Sequence, residues 1–314
     1  MSVKIERSNT QESRLYVNIA GLTMKNPVIA ASGTFGFGRE YAKYFDLSLL
    51  GGISVKGLTL EPRRGNKPPR IAETPGGILN SVGLQNPGVH AFIKNEIPFL
   101  RQYDVAIIAN ASGSTLEDYI EIVEILSDAD IDAIELNLSC PNVKQGGMTF
   151  GSTACGMQEV VSAVRSRCKK PLMVKLTPNV TDIAEIARVA EASGADSISL
   201  INTVLGMVID TESRKPVLGH IMGGLSGPAV KPIAVRMVWQ VANAVKIPIV
   251  GMGGISNGKD AIEFFLAGAS AVMIGTAGFV EPEVWPNSVQ QIDEYMIRHK
   301  IQHIRELTGA IRLS

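Results

Sequence analysis

Apolar residues fall along this chain in two alternating rhythms. Short, nearly unbroken runs rich in Val, Ile and Ala occur at 27–32, 52–59, 104–111, 133–139, 171–177, 197–203, 247–253 and 271–276. Between them lie stretches of helical period at about 38–46, 88–102, 115–129, 154–169, 181–193, 228–245 and 257–267, with a further helical region after Pro282. Helix-start signals precede several of these: Thr115 with Asp118, Thr181 with Asp182, and Pro228 after Gly227. Ahead of the first run, Leu15, Val17 and Ile19 alternate with polar residues. Ala20-Gly21 can turn and Leu22 and Met24 resume the alternation, which predicts a β-hairpin over 14–25.

Continuous rather than alternating apolar strands imply burial on both faces, as in a parallel sheet covered by helices. Eight strand-then-helix units point to a closed (β/α)8 TIM barrel, formed as one domain over residues 1–314 with residues 1–25 as an N-terminal extension whose hairpin plugs the bottom. A doubly wound open sheet fits less well, because Gly33-Thr-Phe-Gly-Phe-Gly38 has the wrong order of spacings for a dinucleotide fingerprint. The connections after the second strand (about 60–87), the fourth (140–153) and the sixth (204–227) are long, and all three leave the C-terminal mouth where barrel enzymes place their chemistry.

Composition narrows the function. With 45% hydrophobic residues in 314, the chain can bury a large core without staples. Lys+Arg and Asp+Glu balance at 30 each and no basic stripe stands out, so the electrostatic footprint of a nucleic-acid binder is missing. The polar start and the lack of any apolar run near the ~18 residues that span a bilayer predict a soluble, cytoplasmic protein. Three cysteines, Cys140, Cys155 and Cys168, have neither CxxC nor CxxH spacing, which argues against a disulfide framework, a zinc site or an iron–sulfur cluster in this chain.

The strand ends carry the candidate chemistry: Ser32, Lys56, Asn110, Asn137 with Ser139 and Cys140, Lys175, Asn202 with Thr203, Gly253-Gly254 and Gly275-Thr276. A lone strand-end Asn is as readily a turn former as a ligand, but in a barrel these residues converge on one volume. The glycines ending strands seven and eight match the barrel phosphate site, with Gly227 as a further close approach. Two interior lysines exceed what a phosphate on glycines needs and suit an electron-accepting ring that turns negative on reduction; flavin mononucleotide meets both demands. Cysteine is by default a small buried hydrophobe, the reading kept for Cys155 and Cys168. Cys140 stands instead at a strand end among amides, beside the glycine-bearing loop with Gly146, Gly147 and Gly151, where reactive thiols occur. His299 and His303, spaced i, i+4 on the terminal helical pattern, lack a third ligand and read as a solvated face, so no metal is expected.

Over nearly its whole length the chain resembles the class 1 dihydroorotate dehydrogenases, and within them the catalytic subunit of the B type. The pieces that carry the resemblance are Ser54-Val-Lys-Gly-Leu-Thr59, Leu79-Asn-Ser-Val-Gly-Leu-Gln-Asn-Pro-Gly88, Asn137-Leu-Ser-Cys-Pro-Asn142, Val174-Lys-Leu176, Ile201-Asn-Thr203, Gly223-Gly-Leu-Ser-Gly-Pro-Ala229, Gly251-Met-Gly-Gly254 and Ile274-Gly-Thr276. The resemblance implies FMN held by Ser32, Lys56, Gly57, Asn110, Asn137, Lys175, Ile201, Gly227, Gly253, Gly254, Gly275 and Thr276. It implies dihydroorotate or orotate held by Lys56, Asn80, Ser81, Val82, Gly83, Leu84, Asn137, Asn142, Asn202 and Thr203, with Cys140 as the catalytic base. It further implies electrons passed to NAD+ through a separate subunit carrying FAD and a [2Fe–2S] cluster, in a heterotetramer built on a dimer of catalytic subunits. The chain has no four-cysteine set and no dinucleotide fingerprint, which agrees with electrons leaving through a partner. The insertion at 61–70 is a candidate contact for that subunit, though a solvated loop is the simpler reading. A fumarate-using class 1A enzyme is the nearest alternative. From another reaction class, a phosphosugar isomerase or lyase using Lys175 as a Schiff-base lysine would be colourless.

Overall fold

A computed structural model describes residues 13–138 and 150–313. Cys140, Asn142 and the glycines Gly146 and Gly147 lie outside the described residues. Eight parallel strands close into a barrel in chain order: Val28–Ala30, Gly52–Ser54, Ala106–Ala111, Ala133–Asn137, Leu172–Lys175, Ser197–Leu200, Ile249–Met252 and Ala271–Ile274. The fifth pairs with the sixth and the eighth with the first, so no edge remains. Each strand starts within two residues of the start of an apolar run. The predicted runs extend past several of the observed ends, where residues such as Lys56, Thr177 and Asn202 line the mouth.

The hairpin is present as Val17–Ile19 and Leu22–Met24, antiparallel. Ile19, Leu22 and Met24 are buried against the N-terminal end, with Met24 Sδ 3.2 Å from where a side chain on Gly52 would begin. Helices Leu116–Ser127, Ala154–Arg165, Ile183–Ala192, Lys231–Ala242, Gly258–Ala267 and Val284–Arg298 cover the outside. Thr115 and Asp118 form a reciprocal capping box, and Asp182 caps the helix after it. Among the described residues no helix is long and apolar enough to cross a membrane.

Three expectations need correction. The segment 38–46 is no amphipathic helix; it holds the short 3-10 turn Tyr41–Lys43, with a second, Leu47–Leu49, just beyond it. The Asp46 carboxylate accepts from the Ser48 amide and turns the chain there. Phe35 and Tyr41 stack at 4.5 Å and both meet the Trp285 ring edge-on at 4.9 Å, which holds the loop after the first strand against the terminal helix. The helix expected over 88–102 is helical but widens into a π turn at Phe92–Glu96, ahead of Pro98, which lacks the N–H that would continue the ladder. His299 and His303 do not share a helix. The terminal helix ends at Arg298, His299 packs on Tyr295, and His303 caps the turn Ile304–Leu307.

The connections after the second and sixth strands are not structureless. Ile71–Thr74 and Gly77–Asn80 form a hairpin, Gly77–Asn80 pairs with Gly223–Ser226, and that strand pairs with Val204–Gly206. The result is a four-stranded antiparallel sheet over the mouth, with its own small core of Ala72, Leu79 and Leu218.

Candidate functional site

Side chains alternate across a strand, so the fourth barrel strand sends Glu135 and Asn137 inward while Ile134 and Leu136 face the helices. Glu135 is wholly buried, and groups from four other strands surround it. The Ser54 and Ser199 hydroxyls each donate to it at 2.7 Å, and the Asn110 amide donates at 2.5 Å. The Lys175 ammonium lies 3.7 Å away and also contacts the Ser32 hydroxyl at 3.1 Å. Burial alone would raise the Glu135 pKa, but the Lys175 charge and the three hydrogen bonds override it and hold the carboxyl below its ordinary range. Asn110 Nδ2 also reaches Ser32 Oγ at 3.3 Å, and Asn110 Oδ1 accepts from Asn137 Nδ2 at 3.5 Å. The Tyr119 hydroxyl donates to the Asn137 carbonyl at 2.9 Å, tying this strand end to the adjacent helix.

Above this network opens a cavity of about 560 Å³. Every candidate residue named above from Ser32 to Thr276 lines it, apart from Ser139, Cys140 and Asn142, which lie outside the described residues. Lys56, two residues beyond the second strand, enters the cavity with no carboxylate in ion-pair reach among the described residues. Burial pulls its pKa down, and the Arg70 charge adds to the effect. An anionic ligand would supply the missing countercharge.

The segment from Asn80 to Leu84 crosses the cavity as the continuation of the mouth sheet. Asn80 Nδ2 donates to the Gly224 carbonyl at 3.3 Å, and Asn66 clamps the segment by donating its amide to the Ser81 carbonyl at 2.8 Å. The Ser81 hydroxyl is buried without a partner among the described residues, the condition of a polar group that meets a ligand. At the far end the backbone comes unusually close. Gly227 has φ +104°, and a side chain there would begin 2.6 Å from the Gly77 Cα; Gly254 has φ +79°, with the Lys231 amide nitrogen 2.7 Å from the same point. Thr276 Oγ1 donates to Ser226 Oγ at 2.8 Å beside them. Deep charge, orphaned hydroxyl and bare glycine backbone together fit a phosphate-bearing ring compound.

Three contributors were missed by sequence reasoning. Glu135 was signalled by a charge inside an apolar run, but its four partners lie on other strands. Asn66 and Asn179 stand in loops without any periodic signal. Asn179 pins the sixth strand's exit: its amide donates to Thr177 Oγ1 and to the Thr203 carbonyl, each at 3.1 Å, and its oxygen accepts from the Leu205 amide at 2.9 Å. Cys168 is buried as expected, whereas Cys155 is exposed and fills no core position.

A family model described as dihydroorotate dehydrogenase matches residues 14–296. A protein of Alkaliphilus metalliredigens is 59% identical over 295 residues, covering 94% of this chain and 98% of the relative. One of Bacteroides fragilis is 58% identical over 300 residues, covering 95% and 99%, and one of Thermoanaerobacter pseudethanolicus 53% over 299 residues, again 95% and 99%. All three are named dihydroorotate dehydrogenase B (NAD(+)), catalytic subunit. The family match takes in all eight barrel strands and both halves of the mouth sheet, and on that breadth the chain belongs to the dihydroorotate dehydrogenase family.

Proposed function

We propose that the cavity binds FMN and dihydroorotate side by side and converts dihydroorotate to orotate, a step of pyrimidine biosynthesis, with this chain as the catalytic subunit of an NAD+-linked enzyme. The observation that carries the reading is Lys56: a partly buried ammonium without a carboxylate partner among the described residues, facing a cavity rimmed by amides. Bound FMN supplies the acceptor for the hydride that leaves C6 of the substrate. Lys56 meets the substrate carboxylate. Asn80, Asn137, Asn142 and Asn202 match the ring's imide and carbonyl groups, because an amide both donates and accepts. Gly253, Gly254, Gly275 and Thr276, with Gly227, take the phosphate on backbone amides.

Cys140 is assigned from the sequence alone. Its thiolate takes the C5 proton at Sγ and the hydride departs from C6, which leaves the C5=C6 double bond of orotate. A thiol of reference pKa ~8.5 serves as such a base once polar surroundings lower that value. The relatives' name, catalytic subunit, implies a partner, and we assign to it the FAD and [2Fe–2S] that carry electrons on to NAD+.

An absorbance spectrum of the purified protein, repeated after adding dihydroorotate without oxygen, tests cofactor and substrate together. The expected result is a yellow protein that bleaches; a colourless protein that takes up no flavin overturns the reading. Cys140→Ala is expected to stay yellow and lose roughly 10²- to 10⁴-fold in turnover, and Cys140→Ser to recover slow turnover only at higher pH. Near-normal turnover in Cys140→Ala would remove the cysteine from the mechanism. NADH formation that needs a co-expressed partner supports the B type, and full NAD+ activity from this chain alone opposes it.

A further inference from the structure

We propose that Glu135 is a positioning residue that orients the Asn110 and Asn137 amides and offsets the charge of Lys175, and so sets how readily the bound flavin accepts electrons. The inference rests on the FMN reading above. Glu135 itself lies beneath the cavity wall and touches no part of the cavity, so it acts only through its neighbours. A carboxylate only accepts hydrogen bonds, and the atom of Asn110 at 2.5 Å must therefore be Nδ2. This leaves Asn110 Oδ1 for Asn137, which turns its Nδ2 back toward the network. One buried charge thereby sets the polarity of two amides that line the cavity.

Charge carries the second half of the argument. Burying a carboxylate in a barrel core is costly, and an aliphatic residue would pack there without that penalty. Here two buried serines from the second and sixth strands donate to it, and neither lines the cavity. The Lys175 charge, 3.7 Å away, and these hydrogen bonds hold the carboxylate ionised, so the lysine presents a compensated charge to the cavity floor. Removing the negative charge leaves the ammonium uncompensated, which favours electron uptake by a group lying on it.

The test is the midpoint potential of the bound flavin, measured by dye-equilibrated anaerobic reduction. Glu135→Gln is expected to bind FMN and to shift the potential to more positive values, and Glu135→Asp to return it toward the wild-type value. Ser199→Ala removes a donor that spreads the carboxylate charge and is expected to shift the potential the opposite way. A yellow Glu135→Gln protein with the wild-type potential overturns the proposal. Should that variant fail to fold, Ser199→Ala decides, and an unmoved potential overturns it equally. A wild-type protein that takes up no flavin refutes the cofactor reading instead, and colour tells the two failures apart.

Discussion

Lys175 and Lys56 stand at the same mouth, yet their surroundings differ. Lys175 ends the fifth strand against a buried carboxylate and a serine hydroxyl, so its charge is part of the scaffold. Lys56 follows the second strand with no carboxylate beside it among the described residues, and burial together with Arg70 disfavours its charge. The difference teaches how one residue type serves two ends. A paired ammonium fixes geometry, and an unpaired one holds attraction in reserve for an anion.

Breaking the paired corner has the largest expected effect. Lys175→Met leaves Glu135 buried and unpaired, and should cost the apoprotein about 3–5 kcal/mol in urea melts. Adding Glu135→Gln to that variant should restore most of the loss. A cost below about 1 kcal/mol would mean that Ser54, Ser199 and Asn110 hold the carboxylate unaided.

At the unpaired corner, Lys56→Met orphans no carboxylate. Apoprotein stability should hold or rise, while orotate affinity, read by titration of the flavin spectrum, should fall by about 1.5–3 kcal/mol. The pH dependence has a definite sign. Because the folded-state pKa of Lys56 lies below its ordinary value of 10.5, the unfolded chain binds more protons between the two values. The stability of wild type relative to Lys56→Met should therefore rise with pH across that window and level off above it. A flat difference would show that the lysine's charge is already compensated. The smallest effect is expected at Asn179, where Ala removes the pins on the sixth strand's exit and should cost about 1 kcal/mol. The KM for dihydroorotate should rise and flavin content stay unchanged; loss of flavin would mean that the loop supports the cofactor as well.

The barrel was legible because strands buried on both faces must be continuously apolar, and because polar residues that interrupt such runs at one end mark a mouth. Ser32, Lys56, Asn110 and Lys175 follow from that logic residue by residue. The Glu135 network was not, since its partners come together only when the sheet closes. The mouth sheet escaped for a related reason: its two halves pair across a long separation, Gly77–Asn80 with Gly223–Ser226, and a segment such as Gly223–Ser226 carries no alternation to announce it. The segment 38–46 was misread because packing of Tyr41 and Phe45 on Trp285, rather than period, decides its shape.

The bond from Asn80 to Gly224 joins residues 144 apart in the chain. Closing so long a loop is entropically slow, and strands that pair locally form sooner. The first five barrel strands leave the ribosome well before residue 224 does. The binding segment at Asn80 to Leu84 must wait for the long connection after the sixth strand, and the mouth thus takes shape only after six of the eight barrel strands have been made.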